Sequence, residues 1–168
     1  MKISRSWSMP NKSTFKIKPI KQLLEKYVGD EIWVDPFAGW NSPAKIKNDI
    51  NPKRQTEYCM DALEFLKGIP NNSVDGVLYD PPYSMRQAKE CYEGFGVELL
   101  KIRPTQMNYW SECKNEIQRI LKKDGVSISF GWNSQGIGKN RGFEIIEIML
   151  IPHGGSRNDT IVTVEKKK

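Results

Sequence analysis

Apolar positions recur along this chain in two rhythms, and their order predicts helices and strands in alternation. Ile20, Leu23, Leu24 and Tyr27 share the three-and-four spacing of a helix face, and Gly29 offers a stop. Ile32-Trp33-Val34-Asp35 is a buried-strand pattern closed by Pro36 and the turn residue Gly39. A second strand is expected over residues 44–50, ended by Asn51-Pro52, and a short helix over 62–66 before Gly68. The next strand, 74–79, is stopped abruptly by Asp80-Pro81-Pro82-Tyr83, and residues 84–104 are irregular in pattern. Met107, Trp110, Cys113, Ile117, Ile120 and Leu121 then lie on one helix side, which Lys122-Lys123-Asp124-Gly125 ends. Strand patterns follow over 126–130, 143–151 and 160–165, with a turn-rich stretch, 152–159, between the last two.

Strands alternating with helices imply an α/β fold with a doubly wound, parallel sheet. The last two strands are too close in sequence for a helical crossover, so they should pair antiparallel. The expectation is one domain over residues 1–168, its sheet mostly parallel with a reversed terminal hairpin. The first thirteen residues are expected to be loose. Ligands of such sheets bind at the carboxyl edge, where the strand ends come together.

Composition narrows the picture modestly. Lys and Arg number 26 against 20 Asp and Glu, a net charge of +6. That excess suits a polyanionic partner but does not require one, since part of it is the tail from Lys166 to Lys168. With 38% hydrophobic and 10% aromatic residues the chain can bury a core. No apolar run has bilayer length, and the first dozen residues do not resemble a signal peptide. A soluble protein of the cytoplasm with reduced thiols at Cys59, Cys91 and Cys113 is expected, with no membrane association. One histidine, His153, and no CxxC pair leave a zinc site poorly supplied with ligands, so no metal is expected.

The chemistry concentrates at Asp80-Pro81-Pro82-Tyr83. Two prolines after a buried strand fix the backbone and leave carbonyls without competing amide donors. A carboxylate, a carbonyl and an aromatic face are thereby held together at the sheet edge. The amino group of a purine is a poor nucleophile because its lone pair is delocalised. Acceptors for both its hydrogens favour pyramidal geometry and stabilise the positive charge that grows as a methyl arrives. An aromatic ring such as Tyr83 can stack on a base taken out of its helix. Elsewhere the residues alone leave two readings open. The turn Asp35-Pro36-Phe37-Ala38-Gly39 either admits a ligand close to the backbone or is an ordinary strand-to-helix turn. Asp49 suits a ribose diol or local turn bonding. Asp61, before Ala62-Leu63-Glu64, suits an N-cap completed by Glu64.

Asp35-Pro36-Phe37-Ala38-Gly39 followed by Asp80-Pro81-Pro82-Tyr83 resembles the paired signatures of the amino-group, adenine-specific DNA methyltransferases. Thr14-Phe15-Lys16-Ile17-Lys18-Pro19 is similar to that family's upstream motif. The resemblance covers most of residues 14–165 and implies a single Rossmann-like methyltransferase domain using S-adenosylmethionine. It further implies that Phe15, Lys18 and Pro19 hold the methionine end of the cofactor, and that Asp35, Pro36, Phe37 and Gly39 line its pocket. Asp49 would hold its ribose, and Asp61, with Ala62, its adenine amino group. Asp80, Pro81, Pro82 and Tyr83 would be catalytic, Asp80 also bordering the cofactor.

The expected acceptor is adenine in DNA, read with short or relaxed specificity, because no separate recognition domain remains. Residues 84–104, 132–141 and 152–159 are the candidates for target recognition, with 84–104 a possible lid. Arg86, Lys89, Lys101, Arg103, Lys139, Arg141 and Arg157 could contact phosphates there, although about half are expected to be simply solvated. Trp40 and Trp132 adjoin strand ends and suit either packing or base contact. His153 has little carboxylate company for general-base work. The same chemistry on cytosine, on RNA adenine or on a protein glutamine is an alternative, as is a catalytically silent cofactor-binding partner subunit. A homodimer or a partner chain, a bacterial or phage-infected host, and a role in restriction, regulation or counter-defence all remain open.

Overall fold

A computed structural model describes residues 1–11, 13–94, 108–155 and 157–168. Among the described residues seven strands form one sheet: β1 (Lys2–Arg5), β2 (Trp33–Asp35), β3 (Ile46–Lys47), β4 (Val74–Tyr79), β5 (Leu121–Gly131), β6 (Phe143–Ile151) and β7 (Thr160–Lys167). The α-helices of the described residues are α1 (Lys18–Tyr27), α2 (Ala62–Lys67), α3 (Met85–Gly94) and α4 (Tyr109–Ile120). The strand order is β1-β6-β7-β5-β4-β2-β3. All neighbours are parallel except β7, which runs antiparallel to both β5 and β6. The reversed terminal hairpin expected from the short 151–160 connection is present.

Alternation along the strands builds a core on each face of the sheet. Val34, Val77 and Tyr79 point to one side, where Leu63 and Leu66 of α2 and Cys113, Ile117 and Ile120 of α4 cover them. Trp33, Leu78, Ile128 and Phe130 point to the other, against Ile20, Leu23 and Leu24 of α1. The apolar period of α1 is thus the face that packs, and Pro19 in its first turn needs no amide partner there. Gly76 permits the tight fit of β2 on β4: a Cβ at that position would lie 2.2 Å from the Trp33 ring.

Three expectations are corrected. Residues 2–5 are not loose but form edge strand β1, registered from Lys2 against Glu147 to Arg5 against Leu150. Buried Glu147 helps anchor this edge, accepting from Lys26 (2.5 Å) and Tyr27 (2.7 Å) and pairing with Lys2 (3.4 Å). Residues 85–94, expected to be irregular, are helix α3, capped by the Ser84 hydroxyl on the Gln87 N–H at 3.2 Å. The rest of the expected lid, 95–104, and Met107 lie outside the described residues. Lys122-Lys123-Asp124-Gly125 does not terminate a helix but lies within β5, where Asp124 (φ 65°) accompanies a break in register opposite Val74 and Gly76. No helix among the described residues is long and apolar enough to cross a membrane.

Candidate active site

The carboxyl ends of β2, β3, β4, β5 and β6 and the start of β7 open on one cleft of about 940 Å³. That is near the upper end of ligand clefts, ~300–1,000 Å³, leaving room for a cofactor and an acceptor group. At its centre β4 stops at Asp80, because Pro81 and Pro82 cannot continue a ladder that needs amide donors. Asp80, Pro81, Pro82 and Tyr83 all line the cleft. The Tyr83 hydroxyl donates to Asp80 Oδ1 at 2.5 Å, and its ring meets Trp132 edge-on at 5.7 Å. Burial pushes the Asp80 carboxyl above its usual range, while hydrogen bonds from Tyr83 and Thr14 draw it back towards the ionised form. A partly desolvated carboxyl, steadied by two hydroxyls, sits beside Pro81 and Pro82, which lie outside any helix or strand.

The loop after β2 is organised from beneath. Asp35 is fully buried, and its oxygens accept from the Phe37 N–H (2.9 Å) and the Ser42 hydroxyl (2.6 Å). Gly39 takes φ +56° and donates its N–H to Asp49 Oδ2 at 2.9 Å. The other Asp49 oxygen accepts from the Asn51 N–H at 2.8 Å. Each carboxylate oxygen retains a lone pair after one such bond, so Asp49, on the cleft wall, can still accept from a diol. Pro36, Phe37, Ile50, Met60 and Ala62 supply apolar wall around it.

The remaining candidates are placed differently. Phe15 lies in the core against Phe130 (5.3 Å), Pro19 is buried and Lys18 is exposed; Thr14 and Ile17, between and beside them, reach the cleft wall. Asp35 and Gly39 brace the loop, whereas Pro36 and Phe37 face the cleft. Asp61 is off the wall: Oδ1 caps α2 through the Leu63 and Glu64 N–H groups (3.0 and 3.2 Å), and Oδ2 accepts from the Tyr109 hydroxyl at 2.9 Å. Asp61 is thus the N-cap that its place before Ala62-Leu63-Glu64 suits, with Oδ2 also tying α4 to α2.

Of the basic loop residues, Arg157 lines the cleft. Arg141 instead turns onto α4, bonding Asn115 (2.7 Å) and Ser111 (2.8 Å), and Arg86 pairs with Glu90 (2.8 Å). Lys101 and Arg103 fall outside the described residues. His153 lines the cleft, yet both ring nitrogens are engaged, with the Ser8 carbonyl (2.9 Å) and the Thr160 hydroxyl (2.8 Å). The loop that starts at Trp132 is tied down by buried Glu165, which accepts from the Ile137 N–H (2.6 Å) and Gly138 N–H (3.0 Å).

Arg54 and Gln87 are among the wall residues that the sequence reading did not single out. Arg54 lies over the exposed Trp40 ring at 4.7 Å, a contact no local pattern announces. Gln87 was legible, because Ser84-Met85-Arg86-Gln87 has the Ser-x-x-Gln spacing of a helix start. Among the described residues no cluster of three or more His, Cys, Asp or Glu side chains is arranged to hold a metal ion.

This sheet order, with one reversed strand between β5 and β6 and a cleft at the carboxyl edge, is the Rossmann-like methyltransferase fold. Solved structures that share it include the following two. A SAM dependent methyltransferase from Archaeoglobus fulgidus superposes with TM-score 0.61 at 12% identity, covering 89% of this chain and 92% of that one. TrmN from Thermus thermophilus superposes with TM-score 0.57 at 16% identity, covering 93% of this chain and 51% of that one. At these identities the likeness is one of fold. In sequence, the chain is 31% identical over 96 residues to the Escherichia coli (strain K12) protein named "Putative methylase YubD". That stretch is 51% of this chain and 37% of the relative, so well under half of the relative's length is matched. No protein-family model matches the chain.

Proposed function

We propose that this protein transfers a methyl group from S-adenosylmethionine to the exocyclic amino group of adenine in DNA. The observation that carries the reading is the tip of β4, where a desolvated carboxylate and proline carbonyls share one cleft with Phe37 and Asp49. The cofactor fits the residues present: Asp49 retains lone pairs for a ribose diol, and Ile50, Met60, Ala62 and Phe37 suit an adenine ring. S-adenosylmethionine supplies a methyl on a sulfonium sulfur, which departs as a neutral thioether.

In this reading Asp80 accepts one amino hydrogen and the Pro81 carbonyl accepts the other. Tyr83 and Thr14 already bond the Asp80 carboxyl, and its oxygens keep lone pairs for the amino hydrogen. The nitrogen lone pair is thereby freed to form the N–C bond as the S–C bond breaks, and the surplus proton leaves the nitrogen afterwards. No strong base is required before transfer, in keeping with a histidine whose two nitrogens are already bonded. The aromatic corner of Tyr83 and Trp132 offers a stacking surface for a base outside its helix. Arg54 and Arg157 on the wall suit phosphates.

The test uses purified protein, methyl-labelled S-adenosylmethionine, and DNA or RNA digested to nucleosides after reaction. The expected product is N6-methyladenine in DNA. Asp80→Ala should lower transfer at least about a hundredfold while S-adenosylmethionine still binds. Label found only in protein, in RNA or on cytosine would replace the acceptor. Cofactor binding without transfer to any of these would make the chain a silent partner subunit.

A further inference from the structure

Helix α3 begins with a reciprocal cap. The Ser84 hydroxyl accepts from the Gln87 N–H at 3.2 Å, and Gln87 Oε1 accepts in turn from the Tyr83 N–H at 2.8 Å. A backbone N–H can only donate, so it dictates how the Gln87 amide is turned: the carbonyl faces Tyr83 and the NH₂ faces away. For capping alone a glutamate would serve equally well. Glutamine adds two N–H donors, and among the described residues these have no hydrogen-bond acceptor. Gln87 lines the same cleft as Asp80, Pro81 and Tyr83. One residue links donor and acceptor: Tyr83 holds Gln87 through its backbone N–H and Asp80 through its hydroxyl.

Acceptors at a strand tip can grip any amine. They do not by themselves ask what stands next to it. The adenine amino group is flanked by N1 on one edge and N7 on the other, each a ring nitrogen with an in-plane lone pair. A fixed amide donor beside the acceptors completes the complementary pattern.

We propose that Gln87 Nε2 donates to the ring nitrogen flanking the target amino group, making Gln87 a specificity residue of the site. This rests on the amino-group transfer to adenine proposed above. The donor selects an amine that has a lone pair beside it, and helps turn the base so that its amino group meets Asp80 and Pro81.

Gln87→Glu is the informative change, because it keeps the oxygen that caps Tyr83 and replaces the donors with a second acceptor. On an oligonucleotide carrying one acceptor adenine, the variant should lose at least about tenfold in kcat/KM. With 1-deazaadenine or 7-deazaadenine in that place, one of the two analogues should close the gap between the proteins to within about twofold, because the lone pair has gone. The analogue that does so identifies the edge that is read. Wild type alone gives a reading that does not depend on the variant folding: it should disfavour that analogue at least about tenfold against adenine. No loss on adenine, an equal loss on all three bases, or indifference of the wild type to both analogues overturns the proposal. Absence of any transfer to adenine by the wild type is a separate failure, seen before a variant is compared, and it removes the underlying reading together with this one.

Discussion

Asp35 and Asp61 belong to the same motif set as Asp49 and Asp80, yet only the latter pair reaches the cleft wall. Asp35 closes β2 with no exposure, holding the Phe37 N–H and the Ser42 hydroxyl. Burial pushes its pKa up to about 7; the two hydrogen bonds pull it down, and the charges of Asp80 and Asp49 push it further up. The unfolded chain ionises near the ordinary 3.8. Between the two values the unfolded state has lost a proton that the folded state keeps, so the stabilisation is full below pH 3.8 and is lost as pH rises through about 7. Asp35→Asn cannot ionise. Relative to wild type, the Tm of that variant should improve steadily from about pH 4 to about pH 7.5. Two melting curves that shift in parallel over this window would mean that Asp35 does not titrate there.

At the scale of elements, the two remaining carboxylates of the cofactor side make a contrast. Asp61→Ala strips the cap from α2 and leaves the Tyr109 hydroxyl unpartnered between α2 and α4. A cost of about 2–4 kcal/mol is expected in denaturant unfolding, from the cap and the orphaned hydroxyl together. S-adenosylmethionine affinity should change by less than about threefold, since Asp61 is off the wall. Asp49→Ala should do the reverse, with affinity falling at least about tenfold and a smaller loss of stability. Calorimetric titration beside the unfolding curves separates the two, and a large affinity loss in Asp61→Ala with an unchanged midpoint would support the role implied by resemblance. Pattern reading met its limits here for definite reasons. Asp61 reads as a cap and as a ligand alike, and its partner Tyr109 is 48 residues away. Strand β1 hid because an edge strand with Ile3 62% exposed has no buried face to advertise, and its pairing with β6 is long-range.

For the whole molecule, the net charge of +6 says little until it is known which charges face the cleft. Arg141 and Arg86 are engaged locally, whereas Arg54 and Arg157 stand on the wall. Two phosphate contacts imply a slope of about −1.8 in log–log salt dependence, which is about a tenfold loss between 50 and 200 mM salt. The kcat/KM on DNA should fall by about that factor, while affinity for S-adenosylmethionine changes little. Transfer to DNA that ignores salt would take those two arginines out of the interface.

The local order of residues determined a good deal unaided. Apolar periods and proline stops defined β4, β6, the face of α1 and the reversed hairpin, because each depends on neighbours a few positions apart. The abrupt end of β4 before Asp80 was legible for the same reason: two prolines in succession act on their own backbone. Tertiary structure alone decided which acids turn outward and which are consumed within. A carboxylate follows its hydrogen-bond donors, and for Asp49 and Asp61 those donors include the Gly39 N–H and the Tyr109 hydroxyl, which the packing of the loops and of α4 on α2 brings up.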